Sequence, residues 1–527
     1  MKQRVTLLLL LAPAVLLLLF GRVPGMTEAF CDPDLAGISY GADDLLRGGT
    51  IYENCVETKP PGAYLIFAAD FALFGHRLQP VYFTATLLHL LALLLLARLA
   101  YRTGGPIAAA CTGLFYAALA VDTAAAAGCP NYDTWMMLFA AFAFAALPAG
   151  DDRAAHWRFV LSGALLGAAF LMKQQAALFS LAALPWIATL PHGDAKARAR
   201  NVGLFALGGL APLALIVLWW ASAGGLATMF ADLHPGRLGG YLGAGLDEEA
   251  LRRAGRRAME HLAGAWPIWT AVVAGLFLWP RSGRQGAAYG RYLLFLAVAV
   301  VAVFAGSRFF KHYLIILTAP LALAAGGGIG LIERRLADRA WRWGVYALAL
   351  LALGFTTRVE MAQAYDTIRD HARGAGAVNF EMLRAYSRDD VNLAERFDDK
   401  FIFQPLGTYL RNMSDPDETI YVWPYHPQIY FWAQRRAPTK HYMYFDVAAN
   451  LPYKHGGWHA AVDDRVRLHR RRLLQDLQRA RPAFVVLPRA GDDVWDHAFD
   501  ELERYVTENY ALDPKAPGEH LRVFRLP

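Results

Sequence analysis

Long apolar runs recur through the first 357 residues, more of them than a soluble core could absorb. About eleven read as membrane spans, at roughly 4–21, 79–101, 104–122, 133–149, 157–172, 175–190, 202–223, 265–280, 290–306, 312–331 and 342–357. A helix needs about 20 mainly apolar residues to cross the hydrocarbon, and several of these runs barely reach that. The fold class is therefore a polytopic α-helical membrane protein. Charged residues make up only 18% of the 527, against 56% hydrophobic, which a soluble chain of this length would not show. A further apolar stretch, 63–75, is short and suits a helix lying in the interface or entering the bilayer partway. The N-terminal run follows Lys2 and Arg4 as a secretion signal would, but no A-x-A cleavage site comes after it, so it reads as an uncleaved first span.

Charge orients the spans. With the N-terminus inside, the inside loops hold Arg98 and Arg102, then Arg153 and Arg158, then Lys196, Arg198 and Arg200, then Arg281, Arg284 and Arg291, and last Arg334, Arg335, Arg339 and Arg342. Every inside loop is basic, as the positive-inside rule requires. The formal charge of +7 therefore reads as cytoplasmic loops rather than as a nucleic-acid surface. The first outside loop, 22–62, is acidic instead, with Glu28, Asp32, Asp34, Asp43, Asp44, Glu53 and Glu57. An odd number of spans puts everything after residue 357 outside. The expected location is a bacterial-type inner membrane, with residues 358–527 forming a periplasmic or other extracytoplasmic domain.

In that last segment the apolar runs stop. Residues 418–423, 483–487 and 522–526 read as strands, and 428–435 and 469–481 as helices, which predicts a small α/β domain. No glycine-rich phosphate loop comes after either of the first two strands, so no nucleotide site is expected there. Tyr425, His426, Tyr430 and Trp432 would either line an acceptor side or pack as an aromatic core. Of the four cysteines, Cys31, Cys55 and Cys129 fall in outside loops, where disulfides persist. A Cys31–Cys55 bridge would staple the first loop, although spacing alone cannot fix it. Cys111 lies in an apolar run and reads as a small core residue.

The outside loops hold the residues that could do chemistry. The first carries Asp32, Asp34, Gly48-Gly49, Tyr52 and Lys59-Pro60-Pro61-Gly62. The glycine pair would stop a helix, and the prolines would stiffen the entry to the next segment. The bland reading of this loop is a solvated acidic connector. The second loop ends in Asn131-Tyr-Asp133 at the head of a span, where a carboxylate suits a helix N-terminus or could organise a substrate. The third is the turn Met172-Lys173-Gln174-Gln175, whose lysine could simply snorkel. The fifth has Arg308, Lys311, His312 and Tyr313, a basic cluster on the side where the charge rule disfavours one. Such an exception calls for an anionic partner such as a lipid phosphate. Carboxylates to take a proton and cations to neutralise a departing phosphate, on one membrane face, fit a lipid-phosphate-sugar transferase.

At these residues the sequence resembles the polytopic GT-C-fold glycosyltransferases that use polyprenyl-phosphate sugars, among them protein O-mannosyltransferases and the lipid A aminoarabinose transferase. The shared pattern reads here as Asp34, then Gly48-Gly49-Thr-Ile-Tyr52, Lys59-Pro60-Pro61-Gly62, Asn131-Tyr-Asp133, Lys173-Gln174, and Arg308…His312-Tyr313…Pro320, and it covers about residues 1–330. One departure concerns the first acid: the family usually has Asp-Glu, whereas Leu35 follows Asp34 and Asp32 precedes it. Spacing to the glycines favours Asp34, and Asp32 stands as the alternative. The resemblance implies inverting, single-displacement transfer of a monosaccharide from a polyprenyl-phosphate donor to a lipid, glycan or protein acceptor of the cell envelope. Asp34 would be the base. Lys59, Arg308, Lys311, His312 and Lys173 would hold the phosphate. Asp133, Asn131, Tyr52, Gln174 and Tyr313 would organise donor and acceptor. No metal is demanded, and none is expected on Asp32, Asp34 or Asp133.

Three rival functions remain. A flippase for the same lipids would place ionisable residues at mid-membrane and repeat broken helices, and neither pattern is present. An oligosaccharide ligase or polymerase would share the topology and the basic clamp, with K-P-P-G counting modestly against it. A membrane-anchored sensor would leave the loop motifs unexplained.

Overall fold

The computed structural model describes residues 2–26, 30, 33–55, 57–148, 155–190, 194–233, 248–280, 283–305, 309–336, 339–372, 403–423, 426–442, 464–488, 499–518 and 521–527. Cys31, Asp32, Arg308 and Tyr425 lie outside the described residues. In chain order the helices are α1 (Lys2–Gly21), α2 (Pro33–Leu46), α3 (Gly62–Phe74), α4 (Gln79–Gly104), α5 (Pro106–Ala120), α6 (Tyr132–Ala146), α7 (Trp157–Met172), α8 (Ser180–Ala188), α9 (Ala195–Ser222) and α10 (Leu226–Leu233). They continue with α11 (Glu248–Gly264), α12 (Trp266–Phe277), α13 (Gly283–Ala305), α14 (Thr318–Arg335), α15 (Arg339–Thr356) and α16 (Arg358–Ala372).

Each expected span coincides with helix, yet their lengths differ. Among the described residues, five helical stretches, at 6–26, 79–104, 195–222, 285–305 and 311–335, are long and apolar enough to cross a membrane. A sixth is gained if α15 and α16, bent by 61° at Thr357, count as one. The chain is a multi-pass membrane protein. The helices at 106–120, 132–146, 157–172 and 266–277 are apolar but have at most 16 residues. At 1.5 Å per residue they fall short of the roughly 30 Å hydrocarbon. The run 175–190 is not one helix: a 3-10 turn, Gln174–Phe179, precedes α8, which contains Pro185. The ambiguous stretch 63–75 is α3.

The chain divides into two compact units. The first joins 1–27, 79–218 and 242–379. Its centre is α5, which packs on α1, α4 and α14. Small residues allow that approach, as is usual where lipid supplies no hydrophobic drive between helices. A Cβ on Gly326 would come within 1.9 Å of Thr112 Oγ1, and one on Gly328 within 2.2 Å of the Ala271 carbonyl. Arg22, just past α1, is buried and donates to Thr86 Oγ1 (3.1 Å) and to the carbonyls of Ala120 and Ala127 (both 3.0 Å). It thereby fixes the loop that leads into α6.

The second unit joins 28–78, 219–241 and 380–527. Its later elements are α17 (Gln404–Asn412), β1 (Ile420–Val422), α18 (Pro427–Ala433), α19 (Asp464–Ala480), β2 (Phe484–Pro488), α20 (Asp500–Asn509), β3 (Ala511–Leu512) and β4 (Leu521–Arg525). The sheet has order β1-β2-β4-β3, with β1 and β2 parallel and the other pairs antiparallel. Strand alternation gives it two apolar faces. Tyr421, Val485 and Leu487 pack with Leu473, Leu477, Leu502 and Val506 of α19 and α20. On the other face, Ile420, Val422, Phe484 and Val486 pack with α17, α18 and, from the first loop, Tyr40 and Cys55. Tyr430 is part of this core, accepting the Val422 N–H at 2.9 Å, and Trp432 packs against it, so these two aromatics serve the core.

Cys55 is a free thiol, which rules out the Cys31–Cys55 staple, while Cys129 is disulfide-bonded. Burial pushes the Cys55 thiol well above its ordinary pKa, and Asp44 and Glu57 add to that. Cys55 is therefore expected to stay unlabelled by a maleimide in the folded protein and to react once the protein is denatured. Mass spectrometry of the labelled peptide, before and after denaturation, checks this.

Candidate functional site

The loop after the first span is built from α2 to α3. Asp34 sits half-buried in the first turn of α2, where a carboxylate interacts favourably with the helix dipole. Leu35, Ala36, Ile38, Tyr40 and Ala42 anchor this helix by burial. It ends as the glycine pair predicts. Gly48 takes φ +79°, and the Gly49 N–H donates to the Asp44 carbonyl at 2.8 Å. A Cβ on Gly49 would strike the Asp44 carboxylate. That carboxylate is buried, accepts from Asn54 Nδ2 at 2.9 Å and lies 3.1 Å from Arg436 Nε. Burial raises its pKa, a shift the Asn54 and Arg436 contacts oppose.

Tyr52 is fully buried with φ +76°, a left-handed backbone that costs about 1 kcal/mol or more in a non-glycine residue. Its hydroxyl donates to the Lys59 carbonyl at 2.9 Å, and its ring meets the edge of Trp220 at 6.0 Å. The K-P-P-G turn is held by Glu57, which is almost wholly buried. Glu57 accepts the backbone N–H groups of Thr58 (2.7 Å) and Lys59 (3.1 Å), and the Tyr64 hydroxyl at 2.6 Å. Lys59 Nζ lies 3.5 Å from the same carboxylate. Lys59 therefore carries a carboxylate partner within its own loop.

In the other unit, three elements meet at Asp133. Asn131 caps α6, its Oδ1 accepting the N–H groups of Asp133 (3.1 Å) and Thr134 (3.2 Å). Lys173 follows α7 in extended backbone at the break before the 3-10 turn, which carries half-buried Gln174. Its Nζ donates to both Asp133 oxygens, at 2.8 and 2.9 Å, and lies 4.0 Å from the centre of the Tyr313 ring. His312 Nε2 is 3.7 Å from Asp133 Oδ2. Tyr313 is buried, while Lys311 and His312 are half-buried. The segment opens on Phe309, which has φ +51°. Among the described residues, no group of three or more His, Cys, Asp and Glu is arranged to hold a metal ion.

Comparison with known proteins bears on this arrangement. A family model described as dolichyl-phosphate-mannose-protein mannosyltransferase matches residues 58–220. ArnT from Cupriavidus metallidurans, in a crystal structure bound to undecaprenyl phosphate, superposes with a TM-score of 0.56 over 98% of this chain and 97% of its own, at 15% identity. The chain has the GT-C fold. The apo form of the Archaeoglobus fulgidus oligosaccharyltransferase is similar to it at a TM-score of 0.51 and 14% identity, over 92% of this chain and 69% of that one. No curated protein sequence matches significantly.

On this GT-C fold, Asp133, Lys173, His312 and Tyr313 come together, and Tyr52 and Lys59 share the first loop with Asp34. Two residues that organise these loops carried no mark in the sequence. Glu57 was one acid among several, and Arg22 was only the first residue of the loop after the first span. The capping run Asn131-Tyr-Asp133 was the clearest sign available, since Asn at an N-cap has a defined role.

Proposed function

We propose that this protein is a membrane glycosyltransferase that moves a monosaccharide from a polyprenyl-phosphate donor to an extracytoplasmic lipid, glycan or protein acceptor. The observation that carries the reading is the cluster of Asp133, Lys173, His312 and Tyr313, because three loops that share nothing in local sequence meet through it. The structural likeness to a protein solved with undecaprenyl phosphate supports a carrier of that class.

In the proposed reaction an acceptor nucleophile attacks the anomeric carbon from the face opposite the phosphate. Asp34 takes the nucleophile's proton as the new bond forms. The bond between the anomeric carbon and the phosphate oxygen breaks, and the polyprenyl phosphate leaves with the electron pair. Lys311, His312, Lys59 and Arg308 neutralise the charge growing on that phosphate. The Asp133 contact gives Lys173 a second role beside phosphate binding: it holds the turn after α7 against the head of α6. Asn131, Tyr52, Gln174 and Tyr313 keep the loops in shape. The N-terminus is cytoplasmic in this reading, and residues 358–527 are extracytoplasmic.

The test is sugar transfer by the purified full chain, with a panel of radiolabelled polyprenyl-phosphate sugars and a membrane extract as acceptor. One labelled sugar is expected to pass to an extract component, with inverted anomeric configuration. Binding of the lipid-linked sugars without transfer, together with their movement across liposomes, would replace this reading with a flippase.

A further inference from the structure

Helix α11 is amphipathic the wrong way round for a helix facing water. Its buried side carries Arg257 and His261, which are 6% and 4% exposed. Arg257 Nη1 donates to Glu260 Oε2 at 2.8 Å, and His261 Nδ1 lies 3.8 Å from Asp122 Oδ2. Its exposed side carries Leu251 (53% exposed), Met259 (67%) and Leu262 (42%). Positions 251, 255, 258, 259 and 262 follow the spacing of one helical face, and Gly255 and Ala258 fill the stripe between the larger side chains. Water would oppose this arrangement and a lipid surface would favour it. The helix cannot be a span: its 17 residues include four arginines and three glutamates.

We propose that α11 lies in the plane of the membrane, its apolar stripe in the outer part of the acyl region and its flanking arginines among anionic phospholipid headgroups. Arg252 and Arg256 are exposed, one turn apart, along one edge of the stripe, where headgroup phosphates would lie. Glu248 meets Arg252 at 2.7 Å, but both are more than two-thirds exposed, so this surface pair is weak and open to exchange. Trp266, half exposed in the first turn of α12, continues the same belt, as tryptophan does at membrane interfaces. The His261–Asp122 contact places α11 beside the loop that leads to Asn131 and Asp133. In the proposed reaction this loop carries Asn131 and Asp133, so the lipid contact would adjoin the donor-organising residues.

The test uses the full chain in nanodiscs, with a nitroxide on Ala258→Cys. In discs containing phosphatidylglycerol, the label should be several-fold more accessible to oxygen than to a water-soluble nickel reagent. In purely zwitterionic discs, or at high salt, it should rise toward water, because attraction between exposed charges is screened. Arg252→Gln/Arg256→Gln should remove the dependence on anionic lipid while leaving the protein folded. A label freely accessible to nickel in every disc would overturn the proposal. So would a label shielded from oxygen and nickel alike, since a second protein copy would then cover the stripe. A depth indifferent to anionic lipid in the wild type would overturn the headgroup assignment.

Discussion

Asp34→Asn is expected to lower sugar transfer by about 10²–10⁴-fold, the range for loss of a general base, with little change in donor binding. The amide is close in size to the carboxylate and keeps a polar atom at the first turn of α2. What it loses is the ability to accept a proton from the attacking nucleophile. The buried positions that hold α2 in place, Leu35, Ile38 and Tyr40 among them, are untouched by the change, so the loop should keep its shape. Asp32→Asn serves as the control, because Asp32, two residues before Asp34, is the alternative acid. Transfer lost in Asp34→Asn and kept in Asp32→Asn supports Asp34 as base. The reverse result moves the role to Asp32. Full transfer by both variants would remove an aspartate base at this position from the mechanism. The decisive measurement is a single-turnover rate at saturating donor, beside donor affinity from a binding assay.

The features legible in the sequence were those encoded locally. The strands at 420–422, 484–488 and 521–525 lie at the expected runs because alternating apolar residues serve two buried faces. The helices reflect apolar runs bounded by basic loops. The grouping of the first loop with the C-terminal sheet was not legible. Tyr40 and Cys55 join the core of strands about four hundred residues away in sequence, and no local period carries that information. The break between the 3-10 turn and α8 was missed for another reason: hydropathy averages over Pro185 and the turn and sees one continuous run.

The candidate site divides along the same line. Gly48 with φ +79° and Asn131 as a cap could be inferred from residue type and position alone. Asp133 and Lys173 each had a sufficient local explanation, a helix N-terminus for one and snorkelling for the other. Their pairing depends on α6 lying against α7, a fact of tertiary packing. Glu57 shows the same limit, since its four contacts arise only once the K-P-P-G turn folds back on it.

Lys173→Met tests which role that lysine has. In the folded chain its ammonium contacts both oxygens of a carboxylate that is only 2% exposed. Removing one partner of a buried pair leaves the other charge uncompensated, at a cost of about 3–5 kcal/mol. His312 Nε2 also faces this carboxylate, 3.7 Å from Asp133 Oδ2. The double variant Lys173→Met/Asp133→Asn removes both charges while keeping an amide at the start of α6, and it should regain most of the loss. Chemical unfolding in detergent, compared across the wild type, both single variants and the double, gives the coupling between the two sites. A large coupling identifies Lys173 as a positioning residue whose pairing sets the turn after α7. If Lys173 instead served only the donor phosphate, Lys173→Met would leave stability unchanged and raise KM, and the double variant would recover nothing. The two roles therefore separate on stability, before any donor sugar has been identified.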